Sequence, residues 1–307
     1  MTQSNPYKKS WLCVTHIARD LICLEPGERI ATVQEYTEKF DSSRGIIQNA
    51  LQLLQEQGAV VLEKKGKTGC FIKEQNMTEL FRLAELDYIM GSMPPPLTPH
   101  YASLASGICA DMESCPASFN FSFMHSGGNR AKALSRSIFD FSIVSLNTAN
   151  CLIEKNPQLS IALELPGSIY SPAFQILSSI PEAKEIKKGA RIASDPNSPD
   201  QYSIACHFAD EFGAEIVPTP YMTIPNALRT GRADFMAARV GEAESYPFIK
   251  SIIPIGDIQN SDMVIPAVLV HKSNYGIAAI LRKYLNPGSI SQVQRDVLKG
   301  TREASFY

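Results

Sequence analysis

The sequence has 307 residues, with 29 lysines and arginines against 31 aspartates and glutamates, so its formal net charge at pH 7 is −2. This length favours two domains over one, and a hydrophobic content of 44% is ordinary for a globular protein. Because the chain as a whole is not basic, any binding of nucleic acid must rest on a local cluster of cations. No apolar run approaches the roughly 20 residues of a membrane-spanning helix, and the N-terminal residues lack the pattern of a signal peptide. We therefore expect a cytoplasmic protein that has no membrane partner.

The cysteines do not form a metal-binding pattern. The seven of them stand at positions 13, 23, 70, 109, 115, 151 and 206, without a Cys-x-x-Cys pair and without a paired histidine at metal-ligand spacing. Their odd number and mostly apolar neighbours predict buried, reduced thiols. We expect no metal and no cofactor.

The first 74 residues are predicted to form one domain. Apolar side chains recur at helical spacing over residues 10–24 and again over 33–40, which predicts two amphipathic helices. A third helix is predicted over 43–54, where Ser43 supplies N-cap chemistry and polar side chains occupy the face opposite the apolar one. The second and third helices thus have the pattern of a helix-turn-helix, with the first helix packed beneath them.

A β-hairpin is predicted to follow, with strands over 59–63 and 70–73. The connecting loop, Lys64-Lys65-Gly66-Lys67-Thr68-Gly69, carries three cations and two glycines. A hairpin of this kind can lie along phosphates or enter the minor groove, while the first turn of the third helix reaches base edges in the major groove. The order of elements therefore predicts a winged helix that binds duplex DNA.

The same stretch resembles the winged-helix domain of GntR-type bacterial regulators. The similarity rests on Gly27-Glu28-Arg29, Ser43-Arg44, Ala50-Leu51, Leu54, Gly58, Lys65-Gly66-Lys67 and Phe71-Ile72. It implies that Ser43 and Arg44 begin the recognition helix, whereas Gln48 and Gln34 stand where that family commonly has arginine. The predicted DNA-binding residues are Gln34, Ser43, Arg44, Gln48, Lys64, Lys65, Gly66 and Lys67. We expect a homodimer, because two half-sites one helical turn apart match a protein with two-fold symmetry.

Residues 75–85 are predicted to be a linker whose apolar side chains dock on a dimer partner or on the next domain. From residue 86 onward, strand-like runs alternate with helical ones, which predicts a mostly parallel sheet with helices on both faces. Strands are predicted over 87–93, 119–124, 140–145 and 158–164, and helices over 97–114 and 131–138.

The alternation then recurs, which predicts a second α/β lobe. Its strands are predicted over 190–194, 215–217 and 235–239, and its helices over 201–212 and 224–229. Strands over 251–255 and 264–271 are predicted to return to the first lobe, before a helix over 277–285. The effector-binding domain would thus span 86–307, with lobe 1 at about 86–165 and 251–307 and lobe 2 at about 166–250.

Two α/β lobes with exchanged strands look like the type 2 periplasmic-binding fold, which also forms the effector domain of LysR-type regulators. The whole chain resembles the YhfZ family of bacterial regulators. That similarity rests on Leu104-Ala105-Ser106-Gly107, Val144-Ser145, Leu163-Glu164-Leu165, Asp195, Ser198-x-Asp200-Gln201 and Ser305-Phe306-Tyr307. It implies an α/β protein with a DNA-binding winged helix and a two-lobed domain that binds a small-molecule effector.

The ligand site is predicted just after the strands, because ligands of open α/β sheets bind beyond the carboxyl ends of the strands. The predicted effector-binding residues are Ser92, His125, Ser126, Asn129, Arg130, Ser145, Asn147, Tyr170, Asp195, Ser198, Asp200, Gln201 and Arg239. Three of them, His125, Arg130 and Arg239, could converge with a helix N-terminus, which favours an anionic ligand.

Two other functions remain open at this point. The winged helix could be a protein-interaction module on a small-molecule-binding protein. An enzyme on the same fold is a third reading, although the Gly-x-Ser-x-Gly, Walker, Gly-x-Gly-x-x-Gly and His-Glu-x-x-His motifs are absent.

Overall fold

The computed structural model describes residues 6–240, 242–255 and 261–306, and only the backbone of residues 6–8. Residues 1–5 and Tyr307 of the tail motif lie outside the described residues. The chain divides into two compact units. The first unit contains residues 1–89, 112–119 and 274–284, and the second contains 90–111, 120–273 and 285–307.

The first unit is built on the predicted winged helix. Its leading elements are α1 (Pro6–Ile22), α2 (Val33–Lys39), α3 (Arg44–Glu56), β1 (Val60–Lys64), β2 (Cys70–Gln75) and α4 (Met77–Leu83). Helix α1 packs against α3 and α4, and Ile17, Leu21, Ile47 and Leu54 are fully buried between the helices. The helix-turn-helix and the hairpin predicted from the sequence are confirmed.

Capping hydrogen bonds explain where the two helices of the helix-turn-helix, α2 and α3, begin and end. At the start of α2, Thr32 accepts from the backbone N of Glu35 while the Glu35 carboxylate accepts from the backbone N of Thr32. This reciprocal pair holds the pKa of Glu35 below its usual range. Ser43 caps α3 by accepting from the backbone N of Ile46, and Gly58, with φ of 68°, follows the end of α3 in the left-handed region.

Two segments behave differently from their predictions. Residues 75–85 form no free linker, because α4 buries Leu80, Phe81 and Leu83 and packs on α1 of its own unit. Residues 274–284, predicted within the effector domain, belong to the first unit. There α10 (Ile277–Tyr284) packs against α1.

Polar contacts fix the segment 274–284 on α1. The Tyr275 hydroxyl donates to Asp20 at 2.6 Å, and Arg19 Nη1 donates to Asn274 Oδ1 and to the Tyr275 carbonyl O, each at 2.7 Å. The backbone of Gly276 has a φ of +78°, and a Cβ there would lie 2.9 Å from Arg19 Cβ. Glycine is therefore required where the segment meets the helix.

The second unit carries the two-lobed α/β domain with two five-stranded sheets. The strands are β3 (Tyr88–Met93), β4 (Ser118–Phe123), β5 (Phe141–Ser145), β6 (Leu159–Glu164), β7 (Phe174–Ser178), β8 (Arg191–Ser194), β9 (Glu215–Pro218), β10 (Phe235–Arg239), β11 (Ser251–Pro254) and β12 (Pro266–His271). Their orders are β4-β3-β5-β12-β6 in the first sheet and β11-β7-β10-β8-β9 in the second. The predicted fold class is confirmed.

The two sheets share one order because each receives a strand from beyond its own lobe. Within each sheet, the strand of the lobe that comes first in the chain lies between the second and the third strand of that lobe. The inserted strand lies between the third and the fourth strand of the lobe. The inserted strand of the first sheet is β12, which runs antiparallel to β5 and β6. That of the second is β7, antiparallel to β10 and β11. The lobes therefore exchange strands in both directions.

The prediction that residues 251–255 return to the first lobe is wrong. Strand β11 pairs with β7 in the second sheet, where Ile252 lies opposite Leu177. The second portion of lobe 1 therefore starts after β11, with β12. The sequence analysis did not predict β7, whose five residues are all buried and give no alternation to read.

The remaining helices of the structure are α5 (Pro99–Met112), α6 (Gly127–Leu134), α7 (Leu146–Lys155), α8 (Pro199–Phe212), α9 (Ile224–Arg229) and α11 (Pro287–Leu298). The sequence analysis missed α7 and α11. No breaker separates β5 from α7, because Ser145 both ends the strand and caps the helix by accepting from the backbone N of Thr148 at 3.0 Å.

The Gly-Arg-Ala-Asp motif of the second lobe ties two strands together. Asp234, just before β10, accepts from the backbone N of Arg191 in β8 at 2.9 Å and from its guanidinium at 2.7 and 3.1 Å. These bonds hold the pKa of Asp234 below its usual range and raise that of Arg191. The pair stabilises the fold above the ordinary carboxyl pKa and is lost as pH falls through the depressed value.

A buried carboxylate joins the two lobes. Asp200, in the first turn of α8, accepts from Ser145 at 2.7 and 2.8 Å, from Asn147 Nδ2 at 2.9 Å and from Thr148 Oγ1 at 3.0 Å. We call the three donors, all on lobe 1, the carboxylate socket. Asp200 is only 5% exposed, so the socket supplies hydrogen bonds in place of water.

A second set of contacts lies beside the socket. Ser126 donates to Asp195 at 2.6 Å, and the backbone N of Gly128 donates to the Asn197 carbonyl O at 2.8 Å. A Cβ at position 128 would lie 2.9 Å from that oxygen, so this approach of the lobes requires glycine.

Most of the seven cysteines are less buried than predicted. None forms a disulfide, but Cys13 and Cys115 alone are buried and the other five retain intermediate exposure. Within the described residues, no helix is both long and apolar enough to cross a membrane.

Replacing Asp200 tests the junction between the lobes. We expect Asp200→Ala to lower the free energy of unfolding by about 2–4 kcal/mol, because three buried donors lose their acceptor. Formate should recover part of this loss by occupying the socket, as measured by chemical denaturation in formate against the same concentration of chloride.

The matched control is Asp210→Ala, since Asp210 is an exposed residue of the same helix. It should change stability by less than about 0.5 kcal/mol and should not respond to formate. Equal losses in the two variants would mean that the socket does not stabilise the closed lobes.

Candidate functional site

The recognition helix of the winged helix presents a polar face to solvent. Arg44, its first residue, and Gln48, one turn later, are both exposed. Arg44 makes no ion pair with any described residue, whereas Ser43 uses its hydroxyl for the helix cap. On α2, Gln34 Nε2 donates to Glu38 at 3.0 Å. Arg44 is thus the charged side chain available at the start of this helix.

The tip of the hairpin is an ordered turn. Residues Gly66–Thr68 form a 3-10 turn, closed where Lys65 N donates to the Gly69 carbonyl O at 2.9 Å. Gly66 has a φ of 58°, which favours glycine. The three lysines differ, because Lys65 lies 3.2 Å from the Glu63 carboxylate and over the Phe71 ring.

Lys64 and Lys67 are the cations of the tip that are exposed and that have no ion pair within the described part of the chain. The exposed face of the third helix and this tip, which together we call the α3 face and wing, present Arg44, Lys64 and Lys67 to solvent. The predicted set is therefore divided, since Arg44, Gln48, Lys64 and Lys67 have exposed, uncommitted side chains, while Ser43, Gln34 and Lys65 are engaged within the protein.

In the second unit a cavity of about 520 Å³ lies between the two lobes. Eight of the predicted effector-binding residues line it: His125, Ser126, Arg130, Tyr170, Ser198, Asp200, Gln201 and Arg239. A volume of this size is within the range of sites that bind small molecules. We call this space the cleft cavity.

Five predicted residues do not line the cleft cavity. Asn129 and Asp195 border a neighbouring open depression. Ser92 is fully buried and its hydroxyl faces the Phe141 carbonyl O at 3.4 Å. Ser145 and Asn147 donate to Asp200. Position after a strand identified the correct end of the sheet, but it did not distinguish side chains used by the fold from side chains that face the cavity.

Arg130 is used by the fold. Its side chain is 1% exposed and donates to the Met124 carbonyl O at 2.7 Å, to Tyr170 Oη at 3.0 Å, and to Ser142 Oγ and the Ile143 carbonyl O at 3.2 and 3.3 Å. All three guanidinium nitrogens therefore have acceptors within the protein. Arg130 thus needs no ligand to satisfy its hydrogen-bond donors, unlike the predicted convergence of Arg130 with Arg239 on one ligand.

Arg239 has a different environment. Its guanidinium lies 4.4 Å from the ring centroid of Phe174 and 5.6 Å from those of Tyr101 and Tyr170. Nη1 is enclosed and has no hydrogen-bond partner in the part of the chain that the structure describes. The residue as a whole keeps some exposure, so the aromatic cage holds a planar cation at the wall of the cleft cavity.

Burial shifts the pKa of three other titratable side chains of the cavity, those of His100, His125 and Glu242, toward the uncharged form. Burial lowers the pKa of His100 and of His125, with smaller contributions from Arg239 and Arg130. His125 stacks on Tyr221 at a centroid distance of 4.8 Å. Burial raises the pKa of Glu242, whose carboxylate accepts from the Arg239 backbone N at 3.3 Å.

Several lining residues were missed by the sequence analysis. They come from residues 94–101, from β7 and from the segments after β9 and β10, and they include Leu97, His100, Tyr101, Phe174, Tyr221, Met222 and Glu242. The proline run at 94–96, directly after a predicted strand, was a usable signal for a cleft wall. Nothing comparable marked Phe174, because β7 was not predicted.

Within the described residues no cluster of three histidine, cysteine or carboxylate side chains could hold a metal ion. The cleft cavity can instead accommodate a small organic molecule, with one cation at its wall and mainly apolar residues around it.

Comparisons with known proteins agree with this arrangement. The model of the YhfZ C-terminal domain matches residues 76–306, and a helix-turn-helix domain model matches residues 25–72. The uncharacterized protein YhfZ of Escherichia coli strain K12 is 26% identical over 304 residues, which cover 97% of this chain and 98% of that protein.

Solved structures show a similar fold. The crystal structure of YhfZ from Shigella flexneri superposes with a TM-score of 0.59 at 24% identity, covering 74% of this chain and 97% of that chain. A TRAP periplasmic solute binding protein from Xanthobacter autotrophicus Py2, with bound β-D-galacturonate, gives a TM-score of 0.46 at 14% identity over 70% of this chain and 87% of its own.

The helix-turn-helix match over residues 25–72 suggests a DNA-binding regulator. Since the C-terminal model covers most of the chain, from residue 76 to residue 306, the chain belongs to the YhfZ family.

Proposed function

We propose that this protein is a cytoplasmic transcriptional regulator of the GntR-like winged-helix type, whose affinity for a DNA operator changes when a small anionic metabolite binds in the cleft cavity. The observation that carries the proposal is the pairing of an exposed helix start at Arg44 with a glycine-turned tip bearing Lys64 and Lys67. In sequence-specific DNA binding, a helix contacts base edges while neighbouring cations contact phosphates.

The charge of the α3 face and wing sets the strength of this binding. Lys65 is partly neutralised by Glu63, and Gln34 and Gln48 add no charge. Few phosphates would therefore be neutralised by each copy, and the affinity of one copy for duplex DNA would be modest. This supports a dimer that engages two half-sites.

The proposed effector site rests on Arg239. A guanidinium without an acceptor in a mainly apolar cavity favours a carboxylate or another anion, because the pair gains more there than in water. His100 and His125 would act as neutral hydrogen-bonding groups, since burial lowers the pKa of both.

Chain connectivity supports a link between effector and DNA. Strand β12 ends at His271 in the first sheet, and three residues later Asn274 accepts from Arg19 of α1 at 2.7 Å. A ligand that shifts the first lobe would therefore act on the strand that leads directly into the segment 274–284.

The alternative function is a ligand-binding protein whose winged helix contacts another protein. The exposed apolar residues Trp11 and Leu12 of α1, with 41% and 51% exposure, are the feature that favours it. Under this alternative, duplex DNA would bind weakly and without sequence preference.

Substitutions on the α3 face and at the tip should have different effects. We expect Arg44→Ala to cost about 1–3 kcal/mol at the preferred operator and little on unrelated duplexes, because a base contact is lost. Lys64→Ala or Lys67→Ala should weaken binding to all duplexes alike and reduce the slope of log K against log salt by about 1. Fluorescence anisotropy at several salt concentrations measures both effects.

Lys250→Ala removes the same charge from the second unit and serves as the control. It should leave both the affinity and the salt slope unchanged. An unaltered operator preference in Arg44→Ala would show that α3 does not read the sequence.

The proposed dimer predicts operators with two half-sites about 34–36 Å apart. Sedimentation velocity at micromolar concentration should give twice the mass of one chain, and hydroxyl-radical footprints should repeat at one helical turn. A monomer that protects a single half-site would contradict the proposal.

The effector site predicts a charge preference. In a thermal-shift screen of metabolites, anions should raise the melting temperature, and Arg239→Gln should remove the response because the ligand loses a charge-assisted hydrogen bond of about 1.5–3 kcal/mol. Arg229→Gln, an exposed arginine of α9, is the control and should respond like the wild type. Stabilisation by neutral or cationic compounds alone would remove Arg239 as the anchor.

A further inference from the structure

Most charged groups that line the cleft cavity are already committed within the protein. Arg130 has acceptors for all three guanidinium nitrogens. Asp200 accepts hydrogen bonds from all three donors of the carboxylate socket. Glu242 accepts from a backbone N, and burial raises its pKa. Of the charged side chains described in the cavity, Arg239 is the one whose guanidinium has no hydrogen bond or ion pair.

The hydrogen bonds that these charged side chains make within the protein limit the charge that a ligand can carry. One carboxylate can pair with the guanidinium of Arg239 in the forked geometry that arginine favours. A second carboxylate would have no uncommitted cation among the described residues of the cavity, because the guanidinium nitrogens of Arg130 already have acceptors. A buried charge without a partner is costly, so dianions are disfavoured.

The remaining wall of the cavity is largely apolar. Its lining includes six prolines, at positions 94, 95, 99, 172, 199 and 225. Leu97, Met222 and Val240 also line it, yet they are 80%, 70% and 51% exposed. Large apolar side chains left in water around a cavity gain stability when an apolar ligand covers them.

The aromatic cage and the cavity volume allow one ligand to contact both Arg239 and the apolar wall. Phe174, Tyr101 and Tyr170 surround the guanidinium, so a carboxylate that reaches it leaves bulk water. The volume of about 520 Å³ is far larger than a carboxylate alone. The space that remains is bounded by the prolines and by Leu97, Met222 and Val240.

We propose that the effector is an amphipathic monocarboxylate, whose carboxylate pairs with Arg239 and whose apolar body lies against Leu97, Met222 and Val240. The inference rests on the effector site of the proposed function and adds the chemical class of the ligand. It requires no opening of the Asp200 junction, because the carboxylate socket stays filled.

A matched series of probes tests this class on the full-length protein by isothermal titration calorimetry, without DNA. The probes are octanoate, its neutral amide octanamide, the dianion suberate and acetate. We expect octanoate to bind at least about tenfold more tightly than each of the others, because each lacks one required feature or adds an unpaired charge.

Two substitutions test the two ends of the site. Arg239→Gln should reduce the preference of octanoate over octanamide to less than about twofold, whereas Arg229→Gln should retain it. Met222→Asp, at a side chain that is 70% exposed, should weaken octanoate about tenfold, while Met222→Leu should not. Circular dichroism checks that each variant is folded, and the comparison of probes on the wild type does not depend on any variant.

Three outcomes would overturn the proposal: equal binding of octanoate and octanamide, tighter binding of suberate, or no binding of octanoate at about 1 mM, well above a typical effector affinity. Fluorescence anisotropy with duplex DNA is measured separately on the same protein. A chain that binds DNA but not octanoate contradicts the ligand class alone, and a chain that binds octanoate but not DNA contradicts the regulator.

Discussion

The position of the two lobes depends on one buried carboxylate. Asp200 is held by the carboxylate socket, whose three donors lie 2.7–3.0 Å from its carboxylate oxygens. The hydroxyl of Ser145, the N-cap of α7, lies within hydrogen-bonding distance of both oxygens, so the positive end of that helix faces the carboxylate. The anion at this end of α7 is therefore Asp200, a side chain of the protein itself. The closed cavity and the identity of the residues that remain free in it follow from this contact.

The same contact decides which charges are available to a ligand. Residues that look like ligand contacts in the sequence, such as Ser145 and Asn147, are saturated by Asp200, and Arg130 is saturated by carbonyl and hydroxyl oxygens. Arg239 instead faces rings, which attract a cation but accept no conventional hydrogen bond. Arg239 is therefore the cavity arginine whose Nη1 has no hydrogen-bond acceptor among the described residues.

The first unit shows a similar distinction between structural and available polar groups. Ser43 caps α3 and Lys65 pairs with Glu63, whereas Arg44, Lys64 and Lys67 remain exposed. The unit is also not continuous in sequence, since residues 274–284 complete it through Tyr275 and Asp20. The segment that follows the first sheet is therefore part of the first unit, to which the helix-turn-helix also belongs.

By itself the sequence determined the elements whose signals are local. The period of apolar residues and the caps at Thr32 and Ser43 predicted α2 and α3, and the alternation of strands and helices predicted two α/β lobes. Tertiary structure alone decided the insertion of β7 and β12, the place of β11, and the assignment of residues 274–284 to the first unit. It also decided that Arg239, and not Arg130, keeps a free guanidinium. Those outcomes depend on residues that are far apart in the chain. Arg130 contacts Tyr170 and Asp200 contacts Ser145 across 40 and 55 residues, and no local sequence pattern predicts such contacts.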